Sequence, residues 1–306
     1  MKIVFTLCLS VLLLWGNQRI QAHMGTLISV NLEDQNISDE VFGLFGDLDN
    51  RLSTYKSDSE VSLINRDLDL NVSEVTRKIL ARSIEMYQLS DGAFDVTIGS
   101  VTHGAYRFGY DNEQLPSKVQ LQKAQQWVGV NRIHLEENRV SIAEGTIIDL
   151  GGIGKGYAVD IAMEMLQNQG ISKAIVAASG DIGCLGGCTI EIQDPFHPKG
   201  HIATITSTLP RFAISTSGNY ERYIKNKTHN HLIDPKTGKS QQRYASITLI
   251  DVGDNTRIDA LATAVSIMDE AKAIIMLKKF NISYFLIRTN GTMIKSQMPE
   301  GVLLSL

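Results

Sequence analysis

Residues 149–160 read Asp-Leu-Gly-Gly-Ile-Gly-Lys-Gly-Tyr-Ala-Val-Asp. Four glycines within six positions bracket one lysine, after a strand-like run at 146–148 and before a helix-like run. Glycine lets backbone N–H groups come close to a ligand, and a helix N-terminus favours an anion. Lysine adds a compact charge suited to phosphate. The stretch matches neither common nucleotide loop. Lys155 is followed by Gly156 rather than Ser or Thr, and the glycine spacing is not G-x-G-x-x-G. On its own residues it serves equally as a phosphate site or as a structural turn feeding a helix.

The rest of the chain narrows the setting. Its 306 residues are enough for one large or two smaller domains, and 43% hydrophobic with 20% charged residues is ordinary for a globular fold. A net charge of −4 leaves no basic footprint for nucleic acid, so any phosphate chemistry rests on local charge. Lys2, an apolar run from Ile3 to Trp15 and the small-residue site Ile20-Gln21-Ala22 have the form of a secretory leader. The run is short for a membrane span, so the expectation is export with cleavage, residues 1–22 being the signal peptide. An uncleaved leader would instead hold the protein at the inner membrane. No composition break divides 23–306, which reads as a single domain.

Residues 24–32 alternate as a first strand. Val41, Leu44, Phe45, Leu48 and Leu52 repeat at helical spacing. Further helices are predicted over 73–89, 117–128, 157–169, 258–268 and 271–280. Strands are predicted over 132–136, 139–142, 146–149, 173–177, 189–193, 201–207, 211–215 and 245–251, with a closing hairpin from 283–288 and 292–295. Without regular βαβ alternation the class is α+β: mixed, largely antiparallel sheets with packed helices.

Three further segments could carry chemistry. Ser215 to Tyr220 crowds hydroxyls and an amide around Gly218, and His231 and Asp234 precede the turn Pro235-Lys236-Thr237-Gly238. A histidine there can act as a general base or simply sit by a turn. Thr256, Asp259 and Thr263 share one face of a predicted helix. They suit a hard cation such as Mg²⁺, and equally an ordinary helix start. Asp95 lies in a small-residue turn at 91–99, and Tyr55 and Phe94 could stack on a flat ring or be core. Cys184 and Cys188, separated by Leu-Gly-Gly, can bridge in an oxidising compartment or stay free, but cannot complete a zinc shell.

Met24-Gly25-Thr26, Leu52-Ser53-Thr54-Tyr55, residues 91–99, 149–160, 215–220, 231–238 and Asp259-Ala260-Leu261-Ala262-Thr263 stand in the order seen in the ApbE family, which the chain resembles over essentially its whole mature length. The resemblance implies a T-fold-related architecture and an FAD:protein FMN transferase that uses Mg²⁺. It puts Met24, Tyr55, Ala93, Phe94, Asp95, Asp149, Lys155 and His231 around FAD. It puts Asp259, Thr263, a backbone oxygen near Gly152 and Thr256 at the metal, and makes His231 and Lys155 catalytic. Acceptors implied by the family are subunits of Na⁺-pumping quinone reductase, Rnf-type complexes or nitrous-oxide-respiration flavoproteins. Hydrolysis of FAD to FMN and AMP, and non-catalytic flavin binding in the periplasm, are the alternatives. The chain departs from the family in lacking a lipid-attachment cysteine and in having Leu27 two positions after Gly25. The turn Ser179-Gly180-Asp181 varies within the family, so the resemblance assigns it no role.

Overall fold

The chain is described by a computed structural model for residues 17–197 and 199–306. A hairpin comes first: Gln18–His23 (β1) pairs antiparallel with Thr26–Asn31 (β2), the turn using Met24 and Gly25 at positive φ. The sequence expectation of one strand from Met24 thus accounts only for β2. Residues 18–22, assigned there to the leader, are five of the six residues of β1. Residues 1–16 of that leader lie outside the described residues. Among the described residues no helix is long and apolar enough to cross a membrane.

Gln35–Leu52 (α1) starts at Asp34, whose carboxylate accepts from the N–H groups of Asn36 and Ile37 and so satisfies otherwise orphaned donors. Its buried face carries Val41, Phe42, Phe45, Leu48 and Leu52, close to the predicted stripe. Burying each large side chain contributes roughly 1.5–3 kcal/mol. Glu60–Asp67 (α2), Asp69–Asn71 (β3) and Glu74–Leu89 (α3) follow. Then come Gly99–Val101 (α4), running directly into a π-helical turn at Thr102–Tyr106, and Lys118–Gln125 (α5). Ile133–Glu136 (β4) and Arg139–Ile142 (β5) complete a small antiparallel sheet with β3.

The strand expected at 146–149 does not form. Ile147 makes one isolated parallel bridge to Ile98, while the Asn65 side chain takes both the N–H and the carbonyl of Ile148, and Asp149 N–H goes to Val96 O. These backbone groups are committed to side chain and loop rather than to a ladder.

Gly154–Asn168 (α6) leads into Ala174–Ala178 (β6), Asp181–Leu185 (β7), Cys188–Gln193 (β8), His201–Ser207 (β9) and Arg211–Gly218 (β10). Tyr244–Asp251 (β11), Asn255–Ile267 (α7), Glu270–Lys279 (α8), Ser283–Arg288 (β12), Met293–Lys295 (β13) and Val302–Ser305 (β14) close the chain. The main sheet runs β1-β2-β6-β7-β10-β11-β12-β13 with every pairing antiparallel, and β14-β9-β8 forms a second sheet.

The strand period of two sorts residues between two cores. Ala174, Val176 and Ala178 of β6, with Tyr284 and Leu286 of β12, join the helices α1, α6 and α7 on one face. Ile175, Ala177, Phe285 and Ile287 face the other way, onto Ile190, Ile192 and Ile205 of the second sheet. The result is three layers: helices, main sheet, small sheet. Cys184 of β7 and Cys188 of β8 are disulfide-bonded with Cα atoms 6.3 Å apart, joining the two sheets. The α+β class with antiparallel sheets is as expected.

Candidate functional site

The N-terminal end of α6 crosses α7, and two glycines permit the approach. A Cβ on Gly156 would lie 2.4 Å from Asn255 O and 2.7 Å from Asp259 Cβ. Gly156 N–H donates to Asp259 Oδ2 at 2.9 Å. A Cβ on Gly152 would lie 2.9 Å from Thr263 Oγ1 and 3.4 Å from the Phe94 ring. The crossing therefore gathers Lys155, Asp259, Thr263, Gly152 and Phe94. Met24 reaches the same loop, its Cε 3.7 Å from where a Gly154 Cβ would be.

Lys155 Nζ is 3.0 Å from Asp181 Oδ2 and 4.0 Å from Asp259 Oδ1. Asp181 opens β7, and its Oδ1 accepts from Ser215 Oγ of β10 at 2.7 Å. Burial disfavours the Lys155 charge, but Asp181, Asp259 and Glu221 outweigh it and keep the ammonium protonated. Burial pushes Glu221 up to about 7, against the pull of Lys155. Burial and the Asp181 carboxylate raise Asp259 as well, with Lys155 pulling it back. Three carboxylates thus share one ammonium.

Asp149 anchors the other end of the site. Its Oδ1 accepts from Gly151 N–H at 2.8 Å, and its Oδ2 from Thr102 Oγ1 at 2.7 Å, with His103 Nε2 at 3.2 Å from Oδ2. Burial pushes Asp149 up, but the His103 charge and these hydrogen bonds hold it well below the usual carboxylate range. Beside it the rings of Tyr55, His103 and Tyr110 form a cluster with centroids 5.3–5.8 Å apart. Tyr55 donates its hydroxyl proton to Phe108 O and accepts from Arg222 Nη1, both at 3.0 Å.

Arg222 connects this end to His231. Its carbonyl accepts from His231 N–H and lies 3.1 Å from His231 Nδ1. Because a carbonyl only accepts, Nδ1 carries the hydrogen and Nε2 keeps its lone pair. Burial, then the Arg222 charge and Lys155, push His231 down to about 4. It is neutral at pH 7, with the Nε2 lone pair available as an acceptor.

Asp95 is committed to its own turn, accepting from Thr97 N–H at 2.8 Å and Thr97 Oγ1 at 2.6 Å. Ala93 packs at the edge of the first core beside Phe94. Thr256 gives its hydroxyl proton to Asp160 Oδ2 at 2.5 Å, and Asp160 also accepts from the N–H groups of Asn255 and Thr256, capping α7 from α6. Asp234 closes the predicted turn onto Lys236 N–H and Thr237 Oγ1. Asp181, to which the resemblance assigned no role, holds Lys155. Glu221, Arg222, His103 and Tyr110 were not anticipated either. The signal for Asp181 was a lone carboxylate inside an apolar run, and that for Glu221 and Arg222 a charged pair directly after Tyr220; His103 and Tyr110 had none.

Among the described residues no three of His, Cys, Asp and Glu converge as a metal cluster. The oxygens present are the Asp259 carboxylate, the Thr263 hydroxyl and the backbone at Gly152. Mg²⁺ is typically held in this way, by one or two carboxylates supplemented by water and substrate phosphate. The carboxylate excess around Lys155 is a second feature that a divalent cation would relieve.

The ApbE family profile matches residues 24–286. A Haemophilus influenzae protein described as FAD:protein FMN transferase is 31% identical over 290 residues, covering 88% of this chain and 83% of that one. A Vibrio cholerae protein of the same description is 29% identical over 271 residues, covering 83% and 80%. Among solved structures, the ApbE protein from Thermotoga maritima has a TM-score of 0.83 at 27% identity, over 92% of this chain and 96% of that one. The flavin transferase ApbE from Vibrio cholerae has 0.78 at 25% identity, over 91% and 96%.

Proposed function

The chain belongs to the ApbE family, and from that premise we propose that it is an FAD:protein FMN transferase. It moves FMN from FAD to a Thr or Ser hydroxyl of an exported or membrane flavoprotein and releases AMP. The observation that carries the reading is a neutral His231, whose Nε2 keeps its lone pair, together with a protonated Lys155 held beside Asp259. Flavin storage needs neither.

In the reaction His231 Nε2 accepts the proton of the acceptor hydroxyl as its oxygen bonds to the phosphorus of the FMN half. The P–O bond to AMP breaks, and AMP leaves with the electron pair. Lys155 offsets charge on the pyrophosphate and the leaving group, its ammonium being held in place by Asp181 and Asp259. Asp259, Thr263 and the Gly152 backbone would hold Mg²⁺, with Thr256 one turn away, and the ion would add charge neutralisation at the phosphates. Tyr55, Phe94, Met24 and Asp149 line the space for the nucleotide; Asp95 and Ala93 shape the loop behind Phe94.

The leader supports export to the periplasm, or residence at the inner membrane if it is retained. The acceptors are proposed among the flavoprotein subunits implied by the family: Na⁺-pumping quinone reductase, Rnf-type complexes or nitrous-oxide respiration. Co-expression with each candidate, followed by in-gel flavin fluorescence, tests the proposal. Covalent flavin on an acceptor supports transfer, whereas FMN released with every candidate unlabelled would make the protein a hydrolase.

A further inference from the structure

The π-helical turn at Thr102–Tyr106 has no counterpart in the chemistry assigned so far. Such turns hold one residue more than an α-helix would, and they recur at functional sites. Here the turn brings two adjacent side chains onto one oxygen: Thr102 Oγ1 and His103 Nε2 both reach Asp149 Oδ2, at 2.7 and 3.2 Å. Neighbouring residues of a regular helix do not face the same point. The turn is fixed at its far end, where Tyr106 donates its hydroxyl proton to Gly238 O in the loop after His231.

The His103 side chain is only 7% exposed. Its Nε2 also lies 3.3 Å from Thr54 Oγ1, and its ring is edge-on to both Tyr55 and Tyr110. Its Nδ1 is buried with no hydrogen-bond partner among the described residues. A core histidine kept only for packing would have that atom satisfied, because an unpaired buried polar atom is costly.

We infer that His103 is a positioning residue for the nucleotide donor, orienting the Asp149 carboxylate from behind while the ring cluster of Tyr55 and Tyr110 receives a flat ring. This rests on the proposed FAD chemistry. Its consequence concerns binding rather than the chemical step. Among the described residues the ionic contact of His103 is with Asp149 and not with the Lys155 cluster.

The test measures FAD affinity by quenching of flavin fluorescence, together with KM and kcat for AMP release, in His103→Leu, His103→Gln, Asp149→Asn and the Leu–Asn double variant. Losing a charge-assisted hydrogen bond weakens binding by about tenfold or more. His103→Leu is therefore expected to raise Kd and KM for FAD about tenfold with kcat within about threefold. His103→Gln, whose amide N–H can still reach Asp149, should recover most of the affinity. In the Asp149→Asn background His103→Leu should add less than about twofold, because the two residues act as one unit. Wild-type affinity in His103→Leu would overturn the inference. So would full additivity in the double variant, or an equal loss of kcat and melting temperature in both His103 variants. If the wild-type protein itself neither binds FAD nor releases AMP, the proposed function fails instead.

Discussion

Replacing Gly156 by Ala should cost this protein both stability and activity, although alanine is the better helix former. In an open helix the change gains about 1 kcal/mol. At Gly156 the new methyl would lie 2.4 Å from Asn255 O and 2.8 Å from Asn255 C, which are backbone atoms that cannot swing aside. Restoring contact distance requires α6 and α7 to part by roughly 1 Å. Overpacking of that kind costs about 1–3 kcal/mol. Stretching the Gly156 N–H bond to the Asp259 carboxylate removes a further 1.5–3 kcal/mol or so. The net loss is about 1.5–5 kcal/mol, a fall in melting temperature of roughly 2–8 °C for a chain of 306 residues. Displacing Asp259 from Lys155 by about 1 Å should lower turnover about a hundredfold. Gly43 is the control: it lies in α1 with nothing within 4 Å of its would-be Cβ, so Gly43→Ala should gain about 1 kcal/mol and leave turnover unchanged. Thermal melts and AMP release on the two variants decide the matter. A Gly156→Ala protein that melts and turns over like wild type would refute the claim that this helix crossing sets the site.

His231 is held at about 4 when folded against an ordinary value of 6.5, so its contribution to stability is present above pH 6.5 and is lost as pH falls through about 4. Urea midpoints at pH 7 and pH 4.5 should therefore fall further for wild type than for His231→Gln; equal falls would contradict a buried neutral imidazole. Asp181→Asn should lower turnover about tenfold or more while FAD still binds, because Lys155 would turn toward Asp259. The check is kcat and KM across a magnesium titration, and an unchanged kcat would remove Asp181 from the site. If the leader is cleaved, the mature chain should begin before Gln18, since processing after Ala22 would strip β1 from the sheet edge. Intact-mass measurement of the exported protein reads this directly, and a stable chain beginning at His23 would show β1 to be dispensable.

Elements written in local periodicity were readable from the sequence, and those defined by long-range partners were not. The stripe of α1 and the final hairpin β12–β13 carry their pattern within a few residues, and both form as expected. β7 was missed because Gly180, Gly183 and the Gly186-Gly187 pair look like loop. Gly183 is glycine for a packing reason, since a Cβ there would lie 2.7 Å from Met163 Cγ of α6. The segment at 146–149 has strand composition but gives its backbone to Asn65, a partner 83 residues away. At the site, Lys155, Asp259, Thr263 and Gly152 were found through their motifs and do come together. Asp181 was not found, because what makes a carboxylate a lysine's partner is the pairing of β7 with β10 beneath the start of α6. His103 was hidden by the π-helical turn, which sequence spacing does not disclose.

The central claim is that one site joins FMN to a protein hydroxyl as it releases AMP, with His231 as the base. The most direct measurement is a single-turnover reaction of purified protein with FAD, Mg²⁺ and a flavinylated-type acceptor, counting AMP released and FMN bound covalently to the acceptor. The account predicts equal amounts of the two with wild type, and bound but intact FAD with His231→Ala. AMP accompanied only by free FMN, or undiminished transfer by His231→Ala, would contradict it.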